Sequence, residues 1–343
     1  MKSKRTVSFS QKATNVFFHI LTSCNLKCRH CYINPEQHGG NALPLSTIKT
    51  WLAAFVEKNK ETNIIFLGGE PTLHPDLSLA VKKAKSLGYN SITIDTNGYL
   101  FNDILSKVNP EEVDYFSFSL DGATRKTNDM TRGKGSYDKC IRGIKKTIST
   151  GYKTSLIYTV TKTNINEINM MAPLLEDLGI DRFFIQVIGI RGKSAKIGQD
   201  KLQVSRSEWL SIIPDVAKKA AGTGTTVTYP KVFLSLEESF ECAGVVAENY
   251  FIFPNGRVYR CPLCEDFSIH SMEFKDNKLV NTGRLNENDL FQLNIPEGCV
   301  MNRIIQPANL CYKSDGSPEY KIACCMLKEE IRASESSVRH NTL

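Results

Sequence analysis

Two rhythms of apolar positions alternate over the first two thirds of the chain. Short runs of apolar residues, some alternating with polar ones, predict β-strands at residues 15–21, 63–67, 91–95, 113–120, 155–160 and 182–188. Between them, helical spacing predicts helices at 47–58, where Trp51, Leu52 and Phe55 share one side, and at 76–87, 101–108, 137–150 and 165–178. Gly88, Gly151 and Gly179 supply the stops. Six βα units in succession imply parallel strands with helices outside them, joined by right-handed connections. Six units are too few to close an eight-stranded barrel, so an α/β fold with an open, partial (βα)6 barrel is the economical expectation. After a helix at 207–221 and Gly222-Thr223-Gly224, the regular alternation gives way to loops and short strands rich in cysteine. The expected division is a barrel core with its N-terminal lead at 1–228, a small cysteine-rich α+β extension at 229–333, and a frayed polar tail at 334–343.

In parallel α/β architectures, reacting groups collect in the loops beyond the C-terminal ends of the strands. Four chemically suggestive stretches fall at such ends: Cys24, Cys28 and Cys31; Gly68-Gly69-Glu70; Thr96-Asn97-Gly98; and Ser119-Leu120-Asp121-Gly122. Three thiolates within eight residues favour a soft or borderline metal, either zinc or an iron–sulfur cluster. Structural zinc normally takes four protein ligands. Three cysteines on a [4Fe-4S] cube instead leave one iron open. Two glycines let backbone approach a ligand closely, and a carboxylate suits an ammonium partner. Taken separately, Gly-Gly-Glu and Asn97-Gly98 read as ordinary turns.

Together, the C-x3-C-x2-C spacing, His30 just before the last cysteine, and Gly68-Gly69-Glu70 one strand later resemble the signature of the radical S-adenosylmethionine (radical SAM) superfamily. The resemblance implies a [4Fe-4S] cluster on Cys24, Cys28 and Cys31 whose open iron chelates S-adenosyl-L-methionine. It also implies reductive cleavage of that molecule to a 5′-deoxyadenosyl radical, with an external electron donor such as flavodoxin or ferredoxin. By the same resemblance, His30, Gly68, Gly69, Glu70, Asn97, Ser119, Asp121 and Arg132 are expected at the cofactor. Glu70 would meet the methionine amino group, Ser119 and Arg132 a carboxylate, and Asp121 a ribose or substrate hydroxyl. Gln186 and Arg191, at the end of the sixth strand, are candidates to face the substrate.

The extension holds Cys242, Cys261, Cys264, Cys299, Cys311, Cys324 and Cys325. Residues 250–259 read as a β-hairpin turning at Pro254-Asn255-Gly256, which would bring flanking thiols together. This resembles the opening of the SPASM and Twitch extensions that hold auxiliary iron–sulfur clusters, although the later C-x2-C-x5-C-x3-C run is absent. One auxiliary [4Fe-4S] cluster is expected, with two clusters, one of them incompletely ligated, as the alternative. Cys242 and Cys261 come first as ligands, with Cys311 and Cys324 preferred to complete the set because the tail must be anchored back on the hairpin. Cys264 and Cys299 are the remaining candidates, and Cys261-Pro262-Leu263-Cys264 would also suit a zinc knuckle. Adjacent Cys324 and Cys325 can hardly both ligate one cube without strain. One of them is therefore a candidate catalytic thiol, giving a hydrogen atom to a substrate radical. Cys140, beside Ile141 and Ile144 on a helix, reads as a small buried hydrophobe.

Composition narrows the partners. No apolar run reaches the roughly 18 residues needed to span a bilayer, and the first eleven residues lack a signal peptide's apolar core. A reducing cytoplasm is expected, where eleven cysteines argue for metal or redox chemistry over disulfides. A net charge of +7 suits an anionic substrate and is a weak indication of nucleic acid. With only some fourteen residues before the first strand, too few for a peptide-recognition domain, a small molecule or short peptide is the expected substrate. Modification of a ribosomally made peptide is the alternative, and tRNA modification a further one.

Overall fold

The structure is a computed structural model that describes residues 4–5, 13–40, 42–56, 61–197 and 199–332. The frayed tail expected at 334–343, residues 57–58 of the first expected helix, and the lead except 4–5 lie outside the described residues. The strands are β1 (Lys4–Arg5), β2 (Ala13–Leu21), β3 (Glu61–Gly68), β4 (Ser91–Thr96), β5 (Tyr115–Ser119), β6 (Thr154–Val160), β7 (Arg182–Val187) and β8 (Thr226–Pro230). There follow β9 (Phe233–Leu234), β10 (Glu248–Ile252), β11 (Arg257–Tyr259), β12 (Met272–Lys275), β13 (Lys278–Asn281), β14 (Lys321–Ile322) and β15 (Lys328–Ile331).

Strands β2 to β8 are parallel neighbours in chain order, as βα repetition demands. All six expected strands are present, and the fold is α/β with an open parallel sheet. The seventh strand, β8, was not anticipated, and the expected boundary at 228/229 falls inside it. The extension also joins the same sheet at both margins. β10 adds in parallel to β2, and β15 adds antiparallel to β8. The expected hairpin forms as β10 and β11, with Phe251 opposite Tyr259, and Gly256 takes the positive φ of +85° that its turn requires.

Helices Leu45–Ala53, Leu77–Leu87, Ser136–Ser149, Met171–Leu178 and Arg206–Gly222 cover the outside. They bury stripes such as Ala80, Val81 and Ala84 against outward strand residues such as Ile92 and Ile94, all fully buried. The helix expected at 165–178 is split: Ile165–Met170 is a 3-10 turn and the α-helix starts at Met171. Pro173 accounts for the start, because proline is tolerated in a helix's first turn but not further in. A further helix, Arg125–Arg132, opens with Thr124 accepting from the Thr127 N–H.

Side chains alternate across each strand. With Ile94, Phe116, Phe118, Phe183 and Ile185 turned outward to the buried core, the opposite set faces the inside of the curved sheet. Strand register places Asp95 beside Ser117, and Ser119, Ile157 and Phe184 in one row. This inner surface is the lumen. On its far wall Phe17 of β2 stacks on Phe251 of β10 at 4.5 Å.

Candidate active site

Cys24, Cys28 and Cys31 lie on the loop after β2, partly or fully exposed. Gly68 and Gly69 hold that loop in place. The Gly69 N–H donates to Leu21 O and the Glu70 N–H to Ser23 O, both at 3.0 Å. A Cβ on Gly69 would stand 2.1 Å from Ser23 O, and one on Gly68 equally close to Leu21 O. The two glycines are thus required by the cysteine loop itself, whose backbone lies directly on theirs.

Glu70 is buried, and its carboxylate is fully engaged by the protein. Oε1 accepts from the Thr72 N–H at 3.1 Å, the Thr72 hydroxyl at 2.5 Å and the Thr96 hydroxyl at 2.8 Å, while Oε2 accepts from the Asn97 N–H at 2.7 Å. Burial pushes its pKa up against these hydrogen bonds. The carboxylate expected to meet an ammonium ties β3 to the end of β4. Asn97 projects from there to the cysteine loop, its amide 2.8 Å from Asn25 Oδ1 and 3.8 Å from Cys24 Sγ.

Asp121 also turns inward to the protein. It is fully buried, 2.6 Å from Arg132 Nε and 3.3 Å from His30 Nε2, and its Oδ1 accepts from the Thr159 N–H at 2.8 Å. The acid expected near a ribose or substrate hydroxyl holds His30 of the cysteine loop and Arg132 of the helix beneath it. Burial would lower the Arg132 pKa, but Asp121 and the thiols of Cys28 and Cys140 outweigh it and hold the guanidinium charged. The helix carrying Arg132 supports the loop directly, with the Arg29 N–H on Thr131 O at 2.9 Å. Ser119 is half-buried on the lumen face, and Gln186 shares that face two residues beyond Phe184. Cys140 is buried against Gly98, as its helical neighbours suggested.

In the extension, Cys242, Cys261, Cys299, Cys324 and Cys325 line one cavity. Cys264 lies one turn behind Cys261, buried, its N–H on Cys261 O. Cys311 does not belong to this group: it is exposed and does not line the cavity. The anchoring expected of it is done by β14 on β9 and by the Cys299 N–H on Ile322 O. The sequence reading also missed Glu287, which is fully buried beneath the hairpin. Its carboxylate accepts from the Arg260 and Cys261 N–H groups at 2.7 and 3.2 Å and from the Ser271 hydroxyl at 2.9 Å, and burial raises its pKa to about 7.

Residues 189–193 join the two cysteine regions. The Lys193 N–H donates to Cys31 O at 2.9 Å, and the Gly192 N–H to Asp266 at 3.0 Å. Arg191, a substrate candidate from its position, is taken up by the same junction. Its guanidinium lies 4.5 Å from the Tyr32 ring centre, donates to Pro262 O and pairs with buried Glu265.

Both thiol sets fit iron–sulfur chemistry by donor type. Although Cys24 is exposed as a residue, desolvation of its sulfur by the packing around it, with Glu70 and the neighbouring thiols adding to it, pushes its pKa up to about 11. Burial and neighbouring thiols push Cys242 and Cys324 to about 12, and burial with Cys261 does the same to Cys325. Such thiols stay protonated until a cation displaces the proton. Among the described residues no three His, Cys, Asp or Glu side chains converge on one ion. No helix among the described residues is long and apolar enough to cross a membrane.

Residues 19–175 match the family described as the Radical SAM superfamily. A probable GTP 3′,8-cyclase of Saccharolobus islandicus is 31% identical over 202 residues, covering 57% of this chain and 65% of that protein. Fe-coproporphyrin III synthase of Methanosarcina barkeri is 31% identical over 195 residues, covering 56% and 48%. The match thus spans between about half and just under two thirds of these relatives' own lengths. Among solved structures, Streptococcus suis SuiB bound to precursor peptide SuiA aligns with a TM-score of 0.65 at 19% identity, over 93% of this chain and 76% of that one. Native anSMEcpe with bound AdoMet aligns with a TM-score of 0.62 at 14% identity, over 90% and 93%. At such identities the likeness is one of fold, and it extends over the cysteine-rich extension as well as the barrel.

Proposed function

The chain carries a radical SAM domain over residues 19–175, and on that premise we propose that it reductively cleaves S-adenosylmethionine and abstracts hydrogen from a small molecule of sugar, aminoglycoside or nucleoside type. The outcome is epimerisation, dehydrogenation or bond formation, in natural-product or cofactor biosynthesis in the cytoplasm. Bound at the three-cysteine loop, a [4Fe-4S] cluster with S-adenosylmethionine supplies a 5′-deoxyadenosyl radical able to attack unactivated C–H bonds.

The chain's own residues provide position and enclosure. Cys24, Cys28 and Cys31 would hold three irons and leave the fourth open. Gly68 and Gly69 fix the loop, so the backbone beside them, more than the engaged Glu70 carboxylate, is what remains to meet the methionine ammonium. Asp121 keeps His30 and Arg132 under the loop. The lumen behind it excludes water from a reactive carbon. Cys242, Cys261, Cys299 and Cys324 are the proposed ligands of one auxiliary cluster, with Cys264 behind them. Cys325 is then the thiol left to donate hydrogen, and flavodoxin or ferredoxin the proposed electron source.

The observation that carries this reading is the close packing of the Leu21-Thr22-Ser23 backbone, which leads into the three-cysteine loop, on the Gly68-Gly69 turn at the mouth of the lumen. The small-molecule choice draws support from relatives named for acting on GTP and for making a coproporphyrin. Modification of a peptide is the second reading, supported by the fold shared with a protein solved bound to its precursor peptide. The test is anaerobic reconstitution with a strong reductant: 5′-deoxyadenosine should form, and Cys28→Ala should stop it. Zinc alone in the triad of oxygen-protected protein would end the proposal.

A further inference from the structure

Lys328 enters the lumen from the last strand of the sheet. On β15 it lies opposite Pro230 of β8, while Glu330 lies opposite Thr228, which is itself opposite Phe184 of β7. Residues two apart on a strand share a face, so Lys328 belongs to the inner surface, and its ammonium stands 5.6 Å from the Phe184 ring centre. The acids beside it on β15 are occupied: Glu329 accepts from the Tyr229 hydroxyl at 2.8 Å, and Glu330 pairs with Arg332 at 2.7 Å. Lys328 has neither a hydrogen bond nor an ion pair among the described residues.

Two groups face it from other elements. Asp95, on the inner face of β4 and hydrogen-bonded to Ser117, feels the Lys328 charge without pairing to it. Cys325, three residues upstream at the auxiliary cavity, feels it as well. Burial lowers the Lys328 pKa to about 8 and raises that of Asp95 to about 7. A cation out of bulk water with nothing to bond is costly, and a ligand anion offsets that cost through a charge-assisted hydrogen bond.

We propose that the lumen holds its substrate by an anionic group, a carboxylate or a phosphate, seated on Lys328 above Phe184, with an amine or hydroxyl of the same molecule turned to Asp95. Phe17 and Phe251 form the apolar wall opposite, and the seat sets the substrate beside Cys325. The inference rests on the lumen being the reaction chamber proposed above, and it names what the substrate must carry.

The test uses cluster-loaded protein kept anaerobic, and it needs no turnover. Pyridoxal 5′-phosphate offers an aldehyde and a phosphate. The lysine amine condenses with the aldehyde, releasing water, and borohydride then delivers hydride to the imine, leaving a secondary amine that peptide mapping locates. Lys328 should be labelled faster than exposed Lys145, and either acetate or inorganic phosphate should slow its labelling beyond chloride at equal ionic strength. Acetate protection identifies a carboxylate seat and phosphate protection a phosphate seat. Calorimetric titration of the protecting anion should then show about tenfold or weaker binding in Lys328→Met, the loss of one charge-assisted hydrogen bond, with recovery in Lys328→Arg. Labelling no faster than Lys145, protection by neither anion, or unchanged affinity in Lys328→Met overturns the proposal. Failure of the radical reading shows separately, as absence of 5′-deoxyadenosine from unmodified protein.

Discussion

Replacing Gly69 with alanine tests the contact on which the cysteine loop depends. The added Cβ would stand 2.1 Å from Ser23 O, 2.4 Å from Ser23 C and 2.5 Å from Thr22 O, all backbone atoms with no side-chain freedom to yield. An ordinary carbon–oxygen contact is more than 3 Å, so loop and turn must separate by about an ångström, enough to stretch both 3.0 Å hydrogen bonds between them. Overpacking of this kind costs about 1–3 kcal/mol, and each weakened hydrogen bond adds roughly 0.5–1.5 kcal/mol. A destabilisation of about 3 kcal/mol shifts the melting temperature of a chain this long by roughly 4 °C. Scanning calorimetry measures that shift, while iron content after reconstitution reads the loop directly. Gly88→Ala is the control. Gly88 has positive φ, +86°, but nothing within 4 Å of its would-be Cβ, so the variant is destabilised by about 1–2 kcal/mol of added backbone strain and loses no iron. If Gly69→Ala keeps wild-type iron and melting temperature, the loop is not held by this contact and the argument fails.

Other outcomes follow from the same geometry. Reconstituted protein should hold about eight irons per chain, falling toward about four in Cys261→Ser and staying at about eight in Cys311→Ser; loss of iron in the second variant would restore Cys311 to the ligand set. Glu287→Ala should lower auxiliary iron while sparing the N-terminal cluster, because the Cys261 N–H loses its anchor; cluster spectra that match wild type would refute this. Asp95 has its pKa raised to about 7, chiefly by burial. The folded state therefore binds its proton more readily than the unfolded chain, and stability falls as pH rises from the ordinary carboxylate range through about 7. Asp95→Asn should accordingly stabilise the protein by on the order of 1 kcal/mol at pH 8 and by little at pH 5, lumen water screening part of the full effect. Denaturant titrations at the two pH values measure the difference, and an equal gain at both would contradict it. Product carrying deuterium from heavy water would support Cys325 as donor, since thiol hydrogen exchanges with solvent, and unlabelled epimerised product would exclude it.

The barrel was legible because its strands and helices announce themselves by different periods and end at glycines such as Gly88 and Gly179, both left-handed in the structure. The helix Arg125–Arg132 carries no apolar stripe, being almost wholly polar, so periodicity had nothing to register. β8 was hidden by the change of pattern around it, since it lies where the regular alternation gives way to the extension. At the site, local spacing revealed the cysteine loop and its glycines. It did not reveal whether Glu70 and Asp121 face a ligand or the protein, since that depends on partners 26 and 38 residues away in sequence. The position of Cys311 was hidden for a related reason: a cysteine's proximity to others is decided by long-range pairing, here that of β14 with β9. Asp95 read as one more polar residue of an alternating strand and Lys328 fell where no strand was expected; register puts both on the inner face.

Because β10 covers one margin of the parallel sheet and β15 the other, the last hundred residues act as a clasp around a ribbon that is otherwise unsealed. A chain cut near residue 240 would present β2 and β8 as bare edges with unpaired backbone groups, the form of sheet most prone to join other chains. During synthesis the cysteine loop emerges long before its cover does. The loop at the front is therefore made before the strands that seal either margin of the ribbon.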